Sequence, residues 1–330
     1  MSCRLRGLGP GARPVATAGA GGSTRYDTAT GADVTEAHEG ELHERFEAQR
    51  PRLRSVAYRM LGSLSEADDA VQETWLRLGR TDPDDIDNLD AWLTTVVARV
   101  CLNLLRTRRN RREVPVDVHV PEPVVSPDGP LGPEDEALLA DSVGLALMVV
   151  LDTLAPAERV SFVLHDLFAV PFEEVAELLD RTPASVRQLA SRARRRVQGR
   201  APVPDPDLAR QRAVVDAFFA AARDGDLDGL VAVLDPEVVL RADGGASKAR
   251  QTVEIRTARV VAAQAAMAAK LAPFVQPALV NGAAGVVVVV NGKAFSVMAF
   301  TVTGGRIAAI DVLYDPDRLT RLDLSHFGGT

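Results

Sequence analysis

Residues 158–200 read ERVSFVLHDLFAVPFEEVAELLDRTPASVRQLASRARRRVQGR. Phe172, Val175, Ala176 and Leu179 recur at helical spacing, and so do Val186, Leu189, Ala190, Ala193 and Val197 after them. Between the two runs stand Asp180, Arg181, Thr182 and Pro183. Thr182 can cap the second helix, and Pro183 can take its first position, where a missing N–H costs nothing. The spacing therefore predicts a helix-turn-helix. Residues 181–200 hold seven arginines and no acid. A solvated basic helix on a bundle would share this periodicity, but turn, cap and charge together favour DNA. Ser185, Arg187, Gln188, Ser191 and Arg192 project opposite the apolar face; Arg187 and Arg192 suit guanine and Gln188 suits adenine in a major groove. Arg194, Arg195 and Arg196 are expected to hold phosphates.

With 330 residues, 46% of them apolar, the chain can bury two or three cores. Its net charge of −7 is unusual for a DNA-binding protein, and the basic segment makes the remainder more acidic still. Positive charge gathered in one place lets an acidic protein bind DNA there. Cys3 and Cys101 stand far apart and support neither a disulfide framework nor a cysteine metal site, which fits a cytoplasmic protein without metal or cofactor. The apolar run at 286–290 is too short to span a bilayer, so no membrane partner is expected.

Residues 1–40, rich in Gly, Ala and Thr, read as a disordered extension. A first all-α domain is expected over 41–112. Phe46, Leu53, Val56, Ala57, Met60 and Leu61 mark a helix that ends at Gly62, with Pro51 kinking it or starting its main part. Ser65 is expected to cap a second helix, with Val71, Trp75 and Leu78 facing inward and Asp69, Gln72, Glu73 and Arg77 on its polar side. Asn88 caps a third, in which Leu89, Trp92, Leu93, Val96, Val97, Val100 and Leu104 recur. That helix ends in Arg106, Arg108, Arg109, Arg111 and Arg112. Six prolines over 113–137 predict a stiff, extended linker. The helix-turn-helix domain follows over 138–200, with helix resuming near Leu138, and a short linker occupies 201–207. Over 208–330 the class changes to α+β: helices near 208–223, 227–234 and 255–271, then strands 286–290, 294–302 and 307–314 joined by Asn291-Gly292 and Gly304-Gly305 turns. An antiparallel sheet curled over helices is expected.

The motifs Tyr58-Arg59-Met60-Leu61-Gly62, Ala67-Asp68-Asp69-Ala70-Val71-Gln72-Glu73-Thr74-Trp75-Leu76-Arg77 and Ala91-Trp92-Leu93 resemble region 2 of extracytoplasmic-function (ECF) sigma factors. Leu154-Ala155-Pro156-Ala157-Glu158-Arg159 with the helix-turn-helix resembles their region 4. Ala217 to Leu227 is similar to the opening of a SnoaL-like domain, an NTF2-like cone. The combination resembles a sigma-J-like subgroup with such a fused tail. Val120-Pro121-Glu122-Pro123 is similar to its Trp-Leu-Pro-Glu-Pro motif without the Trp-Leu pair. Asp243-Gly244-Gly245-Ala246-Ser247-Lys248 is similar to its Asp-Gly-Gly-Gly-Lys motif. Asp315-Pro316-Asp317-Arg318-Leu319 stands where the subgroup has Asn-Pro-Asp-Lys-Leu.

The resemblance implies a multidomain protein, two all-α sigma domains plus an α+β cone. It implies a non-enzymatic factor that binds RNA polymerase core and directs initiation at promoter DNA. Asp69, Gln72, Glu73 and Arg77 match the polymerase-binding surface, and the 106–112 arginines match the part lying along promoter DNA. The loop from Asp82 to Asn88 would hold an unstacked base. Residues 185–196 would read the minus-thirty-five element. The linker would thread through polymerase. The tail would act in cis, its motifs at 121–123, 243–248 and 315–319 regulating the sigma domains by intramolecular contact, with a small-molecule ligand conceivable but unsupported. Two alternatives stand beside this: a ligand-sensing helix-turn-helix regulator acting without polymerase, and a SnoaL-type enzyme fused to a DNA-binding domain. The enzyme would use Asp243 or Asp311 in a pocket lined by Phe295, Met298 and Phe300. The region 2 resemblance counts against both.

Overall fold

The computed structural model describes residues 30–82, 86–111, 119–128, 144–245 and 252–327. Helix α1 spans Thr30–Leu61, so helix starts well before the expected boundary at Glu41 and inside the stretch expected to be disordered. Pro51 lies inside it, where helix continues on both sides. The chain divides within this helix into two units, Met1–Arg45 and Phe46–Thr330, and the interactions described below all lie in the second. From Phe46 to Leu61 every residue assigned to the apolar face is buried. The helix stops at Gly62, which takes the left-handed φ of +72° and donates its N–H to the Tyr58 carbonyl (2.7 Å).

Helix α2 covers Leu64–Leu78 and is capped by Ser63, whose Oγ accepts from the Glu66 N–H, and not by Ser65 as the sequence reading had it. Ser63 has the extended backbone a cap requires, whereas Ser65 is already helical. Helix α3, Leu89–Arg111, starts at Asn88, whose Oδ1 accepts from the N–H groups of Asp90 and Ala91. Helices α4 (Leu145–Asp152) and α5 (Pro156–Phe162) come next, followed by a π-turn, Val163–Leu167. The expected helical stretch from Leu138 to 143 lies outside the described residues. Helices α6 (Phe172–Leu179) and α7 (Pro183–Gln198) form the helix-turn-helix. Asp180 ends α6 in the left-handed region, and Thr182 Oγ1 accepts from the Ser185 N–H as expected. Val175, Ala176, Leu179, Val186, Leu189, Ala190 and Ala193 are buried between them.

The remainder is the α+β cone. Helices α8 (Leu208–Asp224), α9 (Leu227–Val233) and α10 (Ala258–Met267) pack on a seven-stranded sheet among the described residues. Its strands are β1 (Val125–Pro127), β2 (Leu234–Asp243), β3 (Val253–Arg256), β4 (Val275–Val280), β5 (Ala283–Val290), β6 (Lys293–Thr303) and β7 (Arg306–Leu313), in the order β1-β4-β5-β6-β7-β2-β3. Helix α11, Pro316–Leu319, is the last helix among the described residues. The sheet is mixed, because β2 runs parallel to β7, which corrects the antiparallel expectation. A parallel pair needs a long connection, and everything from β3 to β6 lies between its two members. The sequence reading also missed β2, β3 and β4.

The first strand of this sheet comes from the interdomain linker: Val125 pairs with Val280 and Pro127 with Ala278. Residues 119–128, the described part of the linker, are bonded to the elements on both sides instead of lying free. One sheet face, with Phe300, Ile310 and Val286, joins Phe218 and Leu230 in the cone's core. Val297, Ala299, Ala309 and Leu313, outside that core, are buried too. An isolated cone would leave them to water, but here α4 lies against β6 and β7. Among the described residues no helix is long and apolar enough to cross a membrane.

Candidate nucleic-acid interface

Helix α7 presents Arg187, Gln188, Ser191, Arg192, Arg195 and Arg196 to solvent, with Ser185 and Arg194 half-buried. Several guanidinium groups are oriented by acids of the same bundle. Arg187 Nη2 donates to Glu173 (2.9 Å) and its guanidinium lies 5.2 Å from the Phe172 ring centre. Arg194 is paired with Asp166. Glu158, only 7% exposed, accepts from Arg196 (2.8 Å) and lies 3.8 Å from Arg192. Arg195 reaches back only to the Ser191 carbonyl (3.5 Å). The helix is thus a basic surface whose side chains are partly prearranged, which lowers the entropy lost when they grip an acceptor.

On α2, Asp69 and Gln72 are exposed, and Glu73 pairs with Arg77 at 2.9 Å along the helix. Leu76, 46% exposed, lies on the same helix and supplies apolar surface beside these polar groups. Trp75, placed inward from its spacing, is half-buried against Phe46, ring centres 4.9 Å apart. At the end of α3, Arg106 and Arg109 are exposed. Arg108 does not join them: it donates to the Leu61 carbonyl (2.8 Å) and pairs with Glu66, binding α3 to the start of α2. Arg111 is the last residue of α3, and Arg112 lies outside the described residues. The loop expected to hold a base is described at Asp82 and from Ile86 to Asn88 only.

The three motifs quoted from the linker and the tail meet in space. On one side of the linker, Glu122 donates its N–H to the Gly62 carbonyl (2.9 Å), accepts at its own carbonyl from Tyr58 Oη (2.6 Å), and accepts through Oε2 from the Leu64 N–H (2.9 Å). A linker carboxylate thereby satisfies a free donor at the positive end of α2. On the other side, Asp243 Oδ2 accepts from the Val120 N–H (2.9 Å) and from Arg318 Nη1 (2.8 Å), while Arg318 Nη2 donates to the Val120 carbonyl (2.5 Å). His119 Nδ1 stands 3.3 Å from the same oxygen. Burial by itself would raise the Asp243 carboxyl; the hydrogen bonds from His119, Val120 and Gly245 and the charge of Arg318 outweigh it and hold the group well below the usual carboxylate range. Asp315 caps α11, and a Cβ on Gly245 would run into its carboxylate, so the turn at 243–245 accepts only glycine there. Pro121, Pro123 and Leu319 are buried. Gly244 continues the turn, and Lys248 lies outside the described residues.

The family models for sigma-70 region 2 and sigma-70 region 4 match residues 45–111 and 144–197. The chain is 40% identical over 289 residues to the ECF RNA polymerase sigma factor SigJ of Mycobacterium tuberculosis (strain ATCC 25618 / H37Rv), covering 83% of this chain and 92% of that one. The chain belongs to the ECF RNA polymerase sigma factors. It is also 35% identical over 288 residues to a probable ECF sigma factor, SigI, of M. tuberculosis (strain CDC 1551 / Oshkosh), across 86% of this chain and 96% of the other. The crystal structure of M. tuberculosis SigJ superposes with a TM-score of 0.69 at 38% identity, over 85% of this chain and 99% of that one.

As a sigma factor the protein directs RNA polymerase to promoters and supports initiation there. Sequence reasoning missed four residues that join its parts. Asn281 exchanges two bonds with Val124, N–H to carbonyl (2.8 Å) and Val124 N–H to Oδ1 (3.0 Å), and donates from Nδ2 to Tyr58 Oη (3.0 Å). Its signal was legible: Asn281-Gly282, with φ of +49° and +74°, is a hairpin turn of the same kind as Asn291-Gly292. Tyr58, Arg59 and Arg159 stand within the region 2 and region 4 motifs, which gave them no joining role of their own. Arg159, 1% exposed, donates to the Arg59 carbonyl (3.1 Å) and to Asp152 Oδ1 (3.0 Å), tying α5 to α1 and α4. The Arg59 guanidinium lies 4.7 Å from the Phe168 ring centre.

The enzyme alternative placed Asp243 or Asp311 in the apolar pocket, and β-sheet register removes both. Leu240, Ala242 and Val312 line that pocket, so their neighbours Arg241, Asp243 and Asp311 face the other way. Arg241 and Asp311 sit opposite one another across β2 and β7 and form a buried pair at 2.9 Å. Phe295 and Met298 do line the pocket, whereas Phe300 is packed against Phe218 and Phe219 in the core.

Proposed function

We propose that the α+β domain controls this sigma factor in cis by holding the linker and both sigma regions in one packed arrangement. The observation that carries the reading is the double grip on residues 119–127. Tyr58, Gly62 and Leu64 hold one side of the linker, and Asp243, Asn281 and Arg318 hold the other. A factor that reads two separated promoter elements must spread its regions along DNA, and the Arg159–Arg59 bond and this grip oppose such spreading. The intramolecular contact would then compete with polymerase core, the partner that opens the factor where transcription takes place. Asp69, Gln72, Glu73 and Arg77, with exposed Leu76 beside them, would meet core; polar groups set orientation and apolar atoms supply affinity.

In the same reading Ser185, Arg187, Gln188, Ser191 and Arg192 read bases of the upstream element, with Glu173 and Glu158 orienting the two arginines. Arg194, Arg195 and Arg196 hold phosphates, Arg195 being the one least engaged by acids of the bundle. Arg106 and Arg109 extend the contact at region 2, with Arg111 and Arg112 beyond them. The test is run-off transcription by purified core polymerase with the full-length protein, its Arg318→Ala variant and its Arg318→Ala/Asn281→Ala variant. Loosening the grip should change initiation several-fold at equal protein concentration. Identical activity of all three, with folding intact, would sink the reading.

A further inference from the structure

The cone encloses a cavity of about 360 Å3 that the contacts with the sigma regions leave unused. This is within the ~300–1,000 Å3 range of small-molecule sites. Phe218, Leu240, Ile255, Phe295, Met298 and Val312 are among its apolar wall residues, and among the described residues no charged side chain lines it. Gln264, Ser296 and Tyr314 add the few polar groups that could orient a guest. Val253, a wall residue 41% exposed, marks the open side. By contrast, the larger cleft of about 940 Å3 is lined by Arg200, Arg241 and Arg256 together with Asp235, Glu237 and Glu254, a mixture that favours neither sign.

We infer that the cone binds a neutral, mainly apolar small molecule without transforming it, and that occupancy sets how firmly the tail grips the linker. A charged guest would lose its hydration and find no ionic partner among the described residues of this wall. The strand register has turned the nearby carboxylates of Asp243 and Asp311 to the opposite face, leaving no carboxylate among the described residues of the wall to act on a guest. The wall is continuous with the grip. Ala242 precedes Asp243, which accepts from Val120; Tyr314 donates its N–H to the Asp243 carbonyl (2.9 Å) and precedes Asp315. A guest that shifts β2 against β7 by a fraction of an ångström therefore moves the group that holds the linker. The coupling rests on the cis-control reading, whereas binding itself does not.

The test uses the full-length protein and Nile red as a neutral apolar probe. Saturable fluorescence enhancement is expected, displaced by 1-decanol at least about tenfold more effectively than by decanoate, because an anion is not compensated in this wall. Ala265→Trp, which fills the cavity from the wall, should weaken the probe at least about tenfold while the thermal melt without probe is retained; Ala269→Phe serves if the first variant unfolds. Probe binding should change deuterium exchange at residues 119–126 severalfold. Failure to bind, or binding untouched by both filling variants, overturns the site. Decanoate matching decanol overturns the neutral class, and unchanged exchange at 119–126 overturns the coupling. If the Arg318 variants alter transcription but Nile red never binds, cis control stands and this inference falls. If Nile red binds as expected and those variants leave transcription unchanged, the site stands and the control reading falls.

Discussion

Tyr58 shows how one buried hydroxyl can join three parts of the chain. Burial pushes its phenol up to about 12, so it remains a donor to the Glu122 carbonyl and an acceptor from Asn281 throughout the physiological range. Removing it in Tyr58→Phe strands two buried polar groups, and the expected loss is about 1–3 kcal/mol of unfolding free energy, read from denaturant midpoints at constant slope. Asp243 carries a pH signature. Its folded-state carboxyl is depressed, so its contribution is present above the unfolded value of about 3.9 and is lost as pH falls from there towards the folded value. The stability gap between the protein and Asp243→Asn should accordingly be flat near neutrality and narrow below about pH 4. A gap that instead narrows above pH 6 would contradict this. Gly245→Ala combines a left-handed backbone with collision against Asp315, at an expected cost of about 1–3 kcal/mol measurable by thermal unfolding.

Among the elements, α7 is the one proposed to separate base reading from phosphate holding. Arg187→Ala should cost about 1–3 kcal/mol of discrimination between promoter variants. Arg195→Ala should instead weaken all sequences alike and reduce the slope of log affinity against log salt by about 1. A promoter-variant titration at several salt concentrations separates the two, and equal behaviour of both variants would refute the division of labour. In the sheet, β2 and β7 are joined across their shared register by the Arg241–Asp311 pair, with Arg241 9% and Asp311 1% exposed. Burial pushes the Asp311 carboxyl up while Arg241 pulls against it. Arg241→Met alone leaves a buried carboxyl without its ion partner and should cost about 3–5 kcal/mol; Arg241→Met/Asp311→Leu should recover most of that.

Over the whole molecule, the helix-turn-helix, the caps at Thr182 and Asn88, the core face of α1 and that of α3 as far as Val100 were legible in the sequence, whereas Leu104, expected on the same face, is 37% exposed. Each depends on residues three or four positions apart, which one helix brings together unaided. The last three strands were legible for a similar reason, since Asn291-Gly292 and Gly304-Gly305 are local turn signals. Where local signals competed, reading failed. Pro236 and Pro277 disguise β2 and β4, and a stretch of alanines hid the strand Val253–Arg256 ahead of α10. What the tertiary structure alone decided is where distant residues meet: a linker strand on β4, Arg108 turned to Leu61 and Glu66, and Asp243 and Asp311 facing away from the cavity. The pairing of β2 with β7 joins segments about seventy residues apart, and a shift of one residue would exchange the two faces of the sheet. Sequence by itself determined a sigma factor with a fused α+β tail, because its motifs are contiguous. The grip on the linker and the turning of Asp243 and Asp311 away from the cavity follow from strand register, which is set by packing across the sheet.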